Sequence, residues 1–178
     1  MQTLKLTNTD RVAILDDGCV LDHVLEHNPH WHLNNRGKAI QTRSYLLPRR
    51  NGELQHISLC RVVANNFDTT FDVDHINLDS FDNRLENLRV CSLEENAQNR
   101  LKRKTPTASR FVGAWWSKQH NKWRAGISIE GKLKHIGLFL TELEAALARD
   151  AYARKHYGEF GRYNFPLVGE RPALGDNK

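Results

Sequence analysis

Residues 71–100 read FDVDHINLDSFDNRLENLRVCSLEENAQNR, and this stretch brings an acid, an imidazole and several side-chain amides close together in sequence. Asp74 and His75 are adjacent, Asn87 follows in an Asn-Leu-Arg run, and Asn96 lies in a segment with helical spacing. A single Asp-His pair is often only a solvated turn, and Asn-rich stretches are often turns and caps. The combination of all three parts in order favours a catalytic site.

The end of this stretch is predicted to be a short helix. Ser92 and Glu95 form an S-x-x-E capping box, which is a helix start signal. Apolar residues recur at helical spacing on one face, namely Leu93, Ala97 and Leu101. Polar residues lie on or beside the opposite face, namely Asn96, Asn99, Arg100 and Arg103.

These residue types suit the hydrolysis of a phosphodiester, which needs a deprotonated water and an electrophilic metal on the phosphate oxygens. An imidazole with an ordinary pKa of about 6.5 is a suitable base at neutral pH, so His75 is the candidate general base. Mg²⁺ prefers oxygen ligands, which makes Asp74 and Asn96 the candidate ligands. Asn83 and Asn87 are candidates for bracing the loop or the imidazole.

The local geometry around Asp74 and His75 needs an irregularity. Neighbouring residues on a regular strand point to opposite faces, so both side chains cannot face one metal ion from such a strand. We therefore expect the strand to end, twist or bulge at this pair.

Three motifs, V-D-H-I-N, N-R-L-E-N-L-R and E-E-N-A-Q-N-R, together resemble the HNH endonuclease family with its ββα-metal fold. The resemblance is closest to the H-N-N form of phage homing endonucleases. It implies His75 as general base and Asp74 and Asn96 as ligands of one divalent metal, Mg²⁺ or alternatively Mn²⁺. It also implies Asn87 as the residue that holds the hairpin and the imidazole. Asn96 stands where many members have histidine, which leaves the metal preference open.

Composition is that of a soluble globular protein, since the 178 residues are 39% apolar and 26% charged. Neither a membrane span nor a signal peptide is indicated, so we expect an intracellular protein with no membrane partner. Cys19, Cys60 and Cys91 are far apart, which indicates neither a disulfide framework nor a thiolate zinc site.

Charge is distributed unevenly along the chain. Residues 67–100 hold 3 basic and 8 acidic side chains, whereas residues 101–166 hold 13 basic and 5 acidic ones. The acidic part suits a site that holds a cation, and the basic part would attract a polyanion. Either half alone could also be an ordinary solvated surface.

The N-terminal part is predicted to form strands. Residues 39–47 and 54–59 flank an Asn-Gly turn at 51–52, which favours a hairpin, and residues 59–67 are predicted to be a short helix. By analogy with phage HNH enzymes, we assign residues 1–100 to one catalytic domain. Four histidines suggest a metal site, namely His23, His27, His30 and His32, but Pro29 interrupts the helix that such a site would need.

Residues 101–110, LKRKTPTASR, are predicted to be a basic linker along DNA, with Arg100, Lys102 and Arg103 as contacts. Strands are then predicted at residues 113–118, 122–129 and 132–139. A helix is predicted from a Thr141–Glu144 capping box to about Tyr157, where Gly158 stops it. In the second strand one face is apolar and is predicted to be core, and the other is free to bind. Residues 167–178 are predicted to be a loose tail.

This C-terminal segment resembles the APETALA2 and ethylene-response DNA-binding domain, in the form found on phage HNH enzymes. The matching motifs are G-A-W-W-S-K, K-W-R-A-G-I, G-K-L-K-H-I-G-L-F, T-E-L-E-A-A-L-A-R-D-A-Y and N-F-P. The resemblance implies a three-stranded antiparallel sheet in the major groove with a helix behind it. It also implies a set of residues at binding-face positions, namely Trp115, Lys118, Arg124, Ser128 and His135. Trp116 and Trp123 are expected to pack under the sheet.

The predicted fold class is α+β: an N-terminal β-hairpin region, a ββα-metal motif at about residues 67–101, and a separate domain at 111–166 with three strands on one helix. The predicted function is metal-dependent cleavage of double-stranded DNA. The alternative is a non-cleaving, sequence-specific DNA-binding regulator with a relic HNH segment; RNA is a weaker option as substrate. No obligate protein partner is evident, and monomer or homodimer is left open. A monomer with one site should nick.

Overall fold

The computed structural model describes residues 1–16, 31–33, 40–48, 54–102 and 109–174. Predictions for the histidines at 23, 27 and 30, the turn at 51–52, the linker at 103–108 with Arg103, and residues 175–178 lie outside the described residues. The chain divides into two compact units, Met1–Ser92 and Leu93–Lys178, called here the first and second units. In the described part, no helix is long and apolar enough to cross a membrane.

In its described residues, the first unit contains small antiparallel sheets and one short α-helix. Its elements are β1 (Gln2–Lys5), β2 (Val12–Leu15), β3 (His32–Leu33), β4 (Ile40–Pro48), β5 (Leu54–Ser58), α1 (Leu59–Val63), β6 (Asp72–His75) and β7 (Leu88–Cys91). The strands pair as β1–β2, β3–β4–β5 and β6–β7, all antiparallel. Apolar side chains from these elements and from adjoining loop residues form a core, which includes Leu15, Trp31, Ile57, Leu59, Phe81 and Leu88.

The β6–β7 hairpin carries the Asp-His pair at the end of its first strand. In its register Asp74 lies opposite Arg89 and His75 opposite Leu88, without a bulge. The strand ends at His75, as predicted, and the Ile76 amide then donates to the Asn87 carbonyl over 2.9 Å.

The loop that joins β6 to β7 is fastened to strand β2. Phe81 is buried in the core, and its carbonyl accepts a hydrogen bond from the Ile14 amide at 2.7 Å. The Asn83 amide in turn donates to the Ile14 carbonyl at 2.9 Å. Because the backbone is hydrogen-bonded on both sides of residue 82, the buried side chain of Asn83 is held in place.

The second unit is a three-stranded antiparallel sheet packed on one helix, which confirms the predicted mixed α and β fold class. Its elements are α2 (Leu93–Gln98), β8 (Ala114–Ser117), β9 (Lys122–Ile129), β10 (Lys132–Phe139), α3 (Glu142–Tyr157), β11 (Arg162–Tyr163) and β12 (Arg171–Pro172). Strand β9 is central, between β10 and β8. Ala125, Ala145 and Ala146 are fully buried, because small side chains let α3 lie close to the sheet.

Helix α3 begins and ends as the sequence predicts. The Thr141 hydroxyl accepts from the Glu144 amide at 3.2 Å, and the Glu144 carboxylate accepts from the Thr141 amide at 3.0 Å. This capping box satisfies two N–H groups that have no partner inside the helix. At the other end, Gly158 has a φ of 49°, a conformation that favours glycine and stops the helix.

The prediction of a loose tail is wrong for residues 167–174. Strand β12 pairs in parallel with β11, and Ala173 is 1% exposed. The Glu170 carboxylate forms a bidentate ion pair with Arg154, and both nitrogen–oxygen distances are 2.7 Å. The segment is ordered by these partners elsewhere in the unit, which a local sequence pattern does not reveal.

Candidate active site

His75 is oriented by the side chain of Asn83. Its Nε2 lies 3.2 Å from Asn83 Oδ1, and Asn83 is only 1% exposed. The Asn83 amide nitrogen donates to the Ser80 carbonyl at 3.0 Å, so the oxygen of this amide faces the ring. Because an amide oxygen only accepts, Nε2 must carry the hydrogen in this arrangement. The lone pair of the neutral ring is then on Nδ1, which is the nitrogen able to take a proton.

Burial lowers the pKa of His75 below its ordinary value, because a charged imidazolium loses its hydration there. The hydrogen bond with Asn83 and the negative charges of Asp74, Asp79 and Asp82 act in the opposite direction but do not overcome the effect of burial. The ring is therefore neutral at pH 7, which is the form that a general base requires.

We expect the His75 ring of the metal-free protein to titrate below pH 6.5, and NMR of the imidazole signals against pH would measure this. The unfolded chain then binds more protons than the folded one in this range. The contribution of His75 to stability is therefore present above about pH 6.5 and is lost as the pH falls through the folded-state pKa. A midpoint at or above 6.5 would contradict the assigned environment.

Asp74 is a buried carboxylate with a cationic partner across the hairpin. It is 5% exposed, and its Oδ2 accepts from Arg89 Nε at 3.0 Å and from Arg89 Nη2 at 2.7 Å. Arg89 is its register partner, so both side chains lie on one face of the hairpin. Arg89 was not among the predicted site residues. The strand register could have identified it, since pairing of residues 75 and 88 places 74 opposite 89.

Asn87 closes the loop of the hairpin. Its Oδ1 accepts from the Asn77 amide at 3.0 Å, and its Nδ2 donates to Asn77 Oδ1 at 3.0 Å and to the Asp82 carbonyl at 2.7 Å. These contacts tie Asn87 to the loop at Asn77 and Asp82, and its role in catalysis stays a prediction. The described hydrogen bond of the imidazole, however, is accepted by Asn83 Oδ1. The carboxylate of Asp82 is itself held by Arg84, at 2.8 and 2.7 Å.

Asn96 lies on α2, in the second unit, and is half-buried. The apolar face predicted for this helix is its exposed one, since Leu93 is 64% and Leu101 40% exposed. Asn99 is instead the buried residue, at 1% exposure. Its Oδ1 accepts hydrogen bonds from Arg162 and Arg171, which explains why a polar side chain is turned inward.

No group of three or more His, Cys, Asp or Glu side chains is arranged to hold a metal within the ranges described. The predicted metal ligands, Asp74 and Asn96, would not form such a group, because they are one carboxylate and one amide.

Four of the eight predicted DNA-contacting residues lie on the sheet face that points away from α3. Trp115 pairs with Arg124, His135 with Gly126, and Leu133 with Ser128, and paired residues share a face. A side chain on Gly126 would meet the Trp115 ring at 2.6 Å, so the indole lies across this glycine. Glycine is therefore required at position 126, because the tryptophan ring occupies the space that a side chain would need.

Other predicted contacts lie outside the three strands of this sheet. Lys118 is exposed in the turn after β8, and Arg100 is exposed just after α2. Lys102 is half-buried, and its amide donates to the Ala173 carbonyl at 2.9 Å. Trp123 packs against the core under the sheet, as predicted. Trp116 packs edge-to-face on Trp123, with 5.4 Å between the ring centroids, but is 37% exposed.

Comparisons with known proteins agree with the motif at the hairpin. Residues 66–98 match the family described as HNH endonuclease. Protein 3.8 of Escherichia phage T7 is 30% identical to this chain over 120 residues, which cover 67% of the chain and 93% of the T7 protein. No solved structure matches the chain. The chain thus belongs to the family of phage T7 Protein 3.8, and its β6–β7 hairpin and α2 lie within an HNH endonuclease match that indicates a nuclease.

Proposed function

We propose that this protein is a metal-dependent DNA endonuclease in which His75 is the general base. The observation that carries the proposal is the orientation of the His75 ring: Nε2 faces the Asn83 amide oxygen, which makes Nδ1 the nitrogen that can accept a proton. Burial lowers the pKa of this ring, which favours the neutral form that a general base requires. Asn87 and Asn83 would keep the loop and the ring in this arrangement while a water is deprotonated. General bases of this type typically accelerate a reaction by about 10²–10⁴-fold.

Asp74 and Asn96 are the proposed ligands of one divalent metal, with Mg²⁺ preferred and Mn²⁺ as the alternative. Their donor chemistry fits a hard cation, because a carboxylate and an amide carbonyl both present oxygen. When bound, the metal would polarise the phosphate and stabilise the leaving oxygen. The ion pair with Arg89 fixes the Asp74 carboxylate, and the guanidinium compensates its charge while no metal is bound.

We further propose an APETALA2-like DNA-binding domain at residues 111–166 behind a basic linker at 101–110, with residues 1–100 as the catalytic domain. The face with Trp115, Arg124, Ser128 and His135 supports a major-groove contact, since the groove admits a β-ribbon. Arg124 Nε is buried and has no hydrogen-bond partner within the described residues. A nuclease of this kind would act inside the host cell. The homing type, and nicking by a monomer, follow from the resemblance.

Replacing Arg124 with alanine is expected to weaken binding of duplex DNA by about 1–3 kcal/mol, because a cation on the contacting face is lost. Fluorescence anisotropy would measure the dissociation constant for DNA. The salt concentration must be the same for all variants, because binding to phosphates depends on salt. Lys155→Ala is the control: this exposed lysine lies on α3, behind the sheet. Equal losses in both variants would contradict the assigned face.

The second candidate is a DNA-binding regulator that does not cleave. It is favoured by the same sheet face but gives no role to the oriented His75. Supercoiled plasmid incubated with the protein in Mg²⁺ and in EDTA separates the two. Nicked or linear plasmid in Mg²⁺ alone supports the endonuclease. Plasmid that is bound in both conditions but stays supercoiled supports the regulator.

A further inference from the structure

Helix α2 is hydrogen-bonded at both ends to the rest of the second unit. At its N-terminal end, the Glu94 carboxylate accepts a hydrogen bond from the Glu130 amide, in the turn between β9 and β10. At its C-terminal end, Asn99 is buried and holds two arginines. The HNH match extends across this helix to residue 98, yet by its contacts the helix belongs with the sheet.

Asn99 makes the most specific of these attachments. Its Oδ1 accepts from Arg162 Nε at 2.7 Å and from Arg171 Nη1 at 3.2 Å. Arg162 is also buried, and its Nη1 donates to the Pro172 carbonyl at 3.0 Å, so the guanidinium is held by β12 as well. A buried amide oxygen shared by two guanidinium groups permits little movement, because any displacement leaves buried donors unsatisfied.

Asn99 is linked directly to the residue proposed to bind metal. Its backbone amide donates to the Asn96 carbonyl over 3.2 Å, and only one turn of helix separates the two side chains. A six-residue helix does not hold its own shape in water, so its position must come from tertiary contacts.

We propose that Asn99 is a positioning residue, which holds α2 and thereby Asn96 in a fixed place on the unit that carries the DNA-binding face. The inference rests on the proposed function, because only that function makes Asn96 a metal ligand. Its consequence is that Asn96 moves with the sheet of the second unit.

The test compares Asn99→Leu, which removes the acceptor at similar size, with Asn99→Asp, which keeps an oxygen for both arginines. Glu170→Ala is the matched control, because it removes another half-buried acceptor of an arginine in the same unit, with no described contact to α2. Three quantities are measured on the full chain: hydrogen exchange at the 97–99 amides without metal, DNA affinity in EDTA, and the Mg²⁺ concentration for half-maximal cleavage.

For Asn99→Leu we expect faster exchange at these three amides and DNA affinity within about threefold of wild type. The Mg²⁺ requirement should rise by about 10–100-fold, as is usual when the residues that orient a metal ligand are removed. Asn99→Asp should keep the exchange rates, the DNA affinity and the Mg²⁺ requirement of the wild type. Glu170→Ala should leave both the exchange rates at the 97–99 amides and the Mg²⁺ requirement unchanged.

Unchanged exchange in Asn99→Leu, or an unchanged Mg²⁺ requirement despite faster exchange, would overturn the proposal. An effect of Glu170→Ala as large as that of Asn99→Leu would do the same. If Asn99→Leu does not fold, Arg171→Ala, which removes one of the two donors, is judged by the same measurements. A wild-type protein that cleaves no DNA would instead defeat the proposed function, and the exchange comparison would still decide whether Asn99 anchors α2.

Discussion

His75→Ala is expected to slow Mg²⁺-dependent cleavage of duplex DNA by about 10²–10⁴-fold, because the attacking water loses the group that accepts its proton. DNA affinity should change little, since the proposed binding face lies on the second unit. Single-turnover cleavage with enzyme in excess would measure the effect, because it separates the chemical step from product release.

The control for this variant is His56→Ala, which removes an exposed histidine on β5 of the same unit. It should cleave within about twofold of wild type, since surface substitutions usually have small effects. A comparable loss in both variants would indicate general damage to the first unit rather than the loss of a base.

Asp150→Ala is expected to destabilise the second unit by about 3–5 kcal/mol, the usual cost of removing one partner of a buried charge pair. Asp150 is fully buried on α3. Its carboxylate accepts from Arg149 Nη1 at 3.1 Å, from Asn164 Nδ2 at 3.0 Å and from the Phe165 amide at 2.8 Å. It therefore ties the helix to the Asn-Phe-Pro segment, and its loss takes one acceptor from each of three donors and the anionic partner from the buried Arg149.

Denaturant unfolding followed by tryptophan fluorescence would report this loss, because Trp115, Trp116 and Trp123 all lie in the second unit. Lys155→Ala, an exposed change on the same helix, should stay within about 0.5 kcal/mol of wild type. An Asp150→Ala protein as stable as this control would show that the buried network does not hold the unit together.

The elements of the second unit could be predicted from the sequence because their signals are local. Strand alternation predicted β9 and β10 with their observed bounds, and the capping box at Thr141 predicted the start of α3. Gly158 marked the end of the same helix. Each of these signals depends only on neighbouring residues, so no tertiary information was needed.

The sequence could not predict features that depend on distant partners. The sequence places Leu93, Ala97 and Leu101 on one helical face, but that face is exposed in the structure and the polar Asn99 is buried. The determining partners are Arg162 and Arg171, more than sixty residues further along the chain. Burial of Ala173 and the ion pair of Glu170 depend on partners outside their own segment in the same way.

The candidate site could be predicted from the sequence only in part. The motif residues Asp74, His75 and Asn87 could be named from spacing and resemblance, and the hairpin that carries them is present. The residue that contacts the imidazole, Asn83, was one of two bracing candidates, and the choice required the fold of the loop. Arg89 was missed because its role depends on strand register.

Rescue of His75→Ala by added imidazole tests the central claim most directly, because free imidazole can replace only the missing base. We predict that neutral imidazole restores Mg²⁺-dependent cleavage in proportion to its concentration and has no effect on the wild-type protein. A His75→Ala protein that cleaves at the wild-type rate without imidazole would contradict the account.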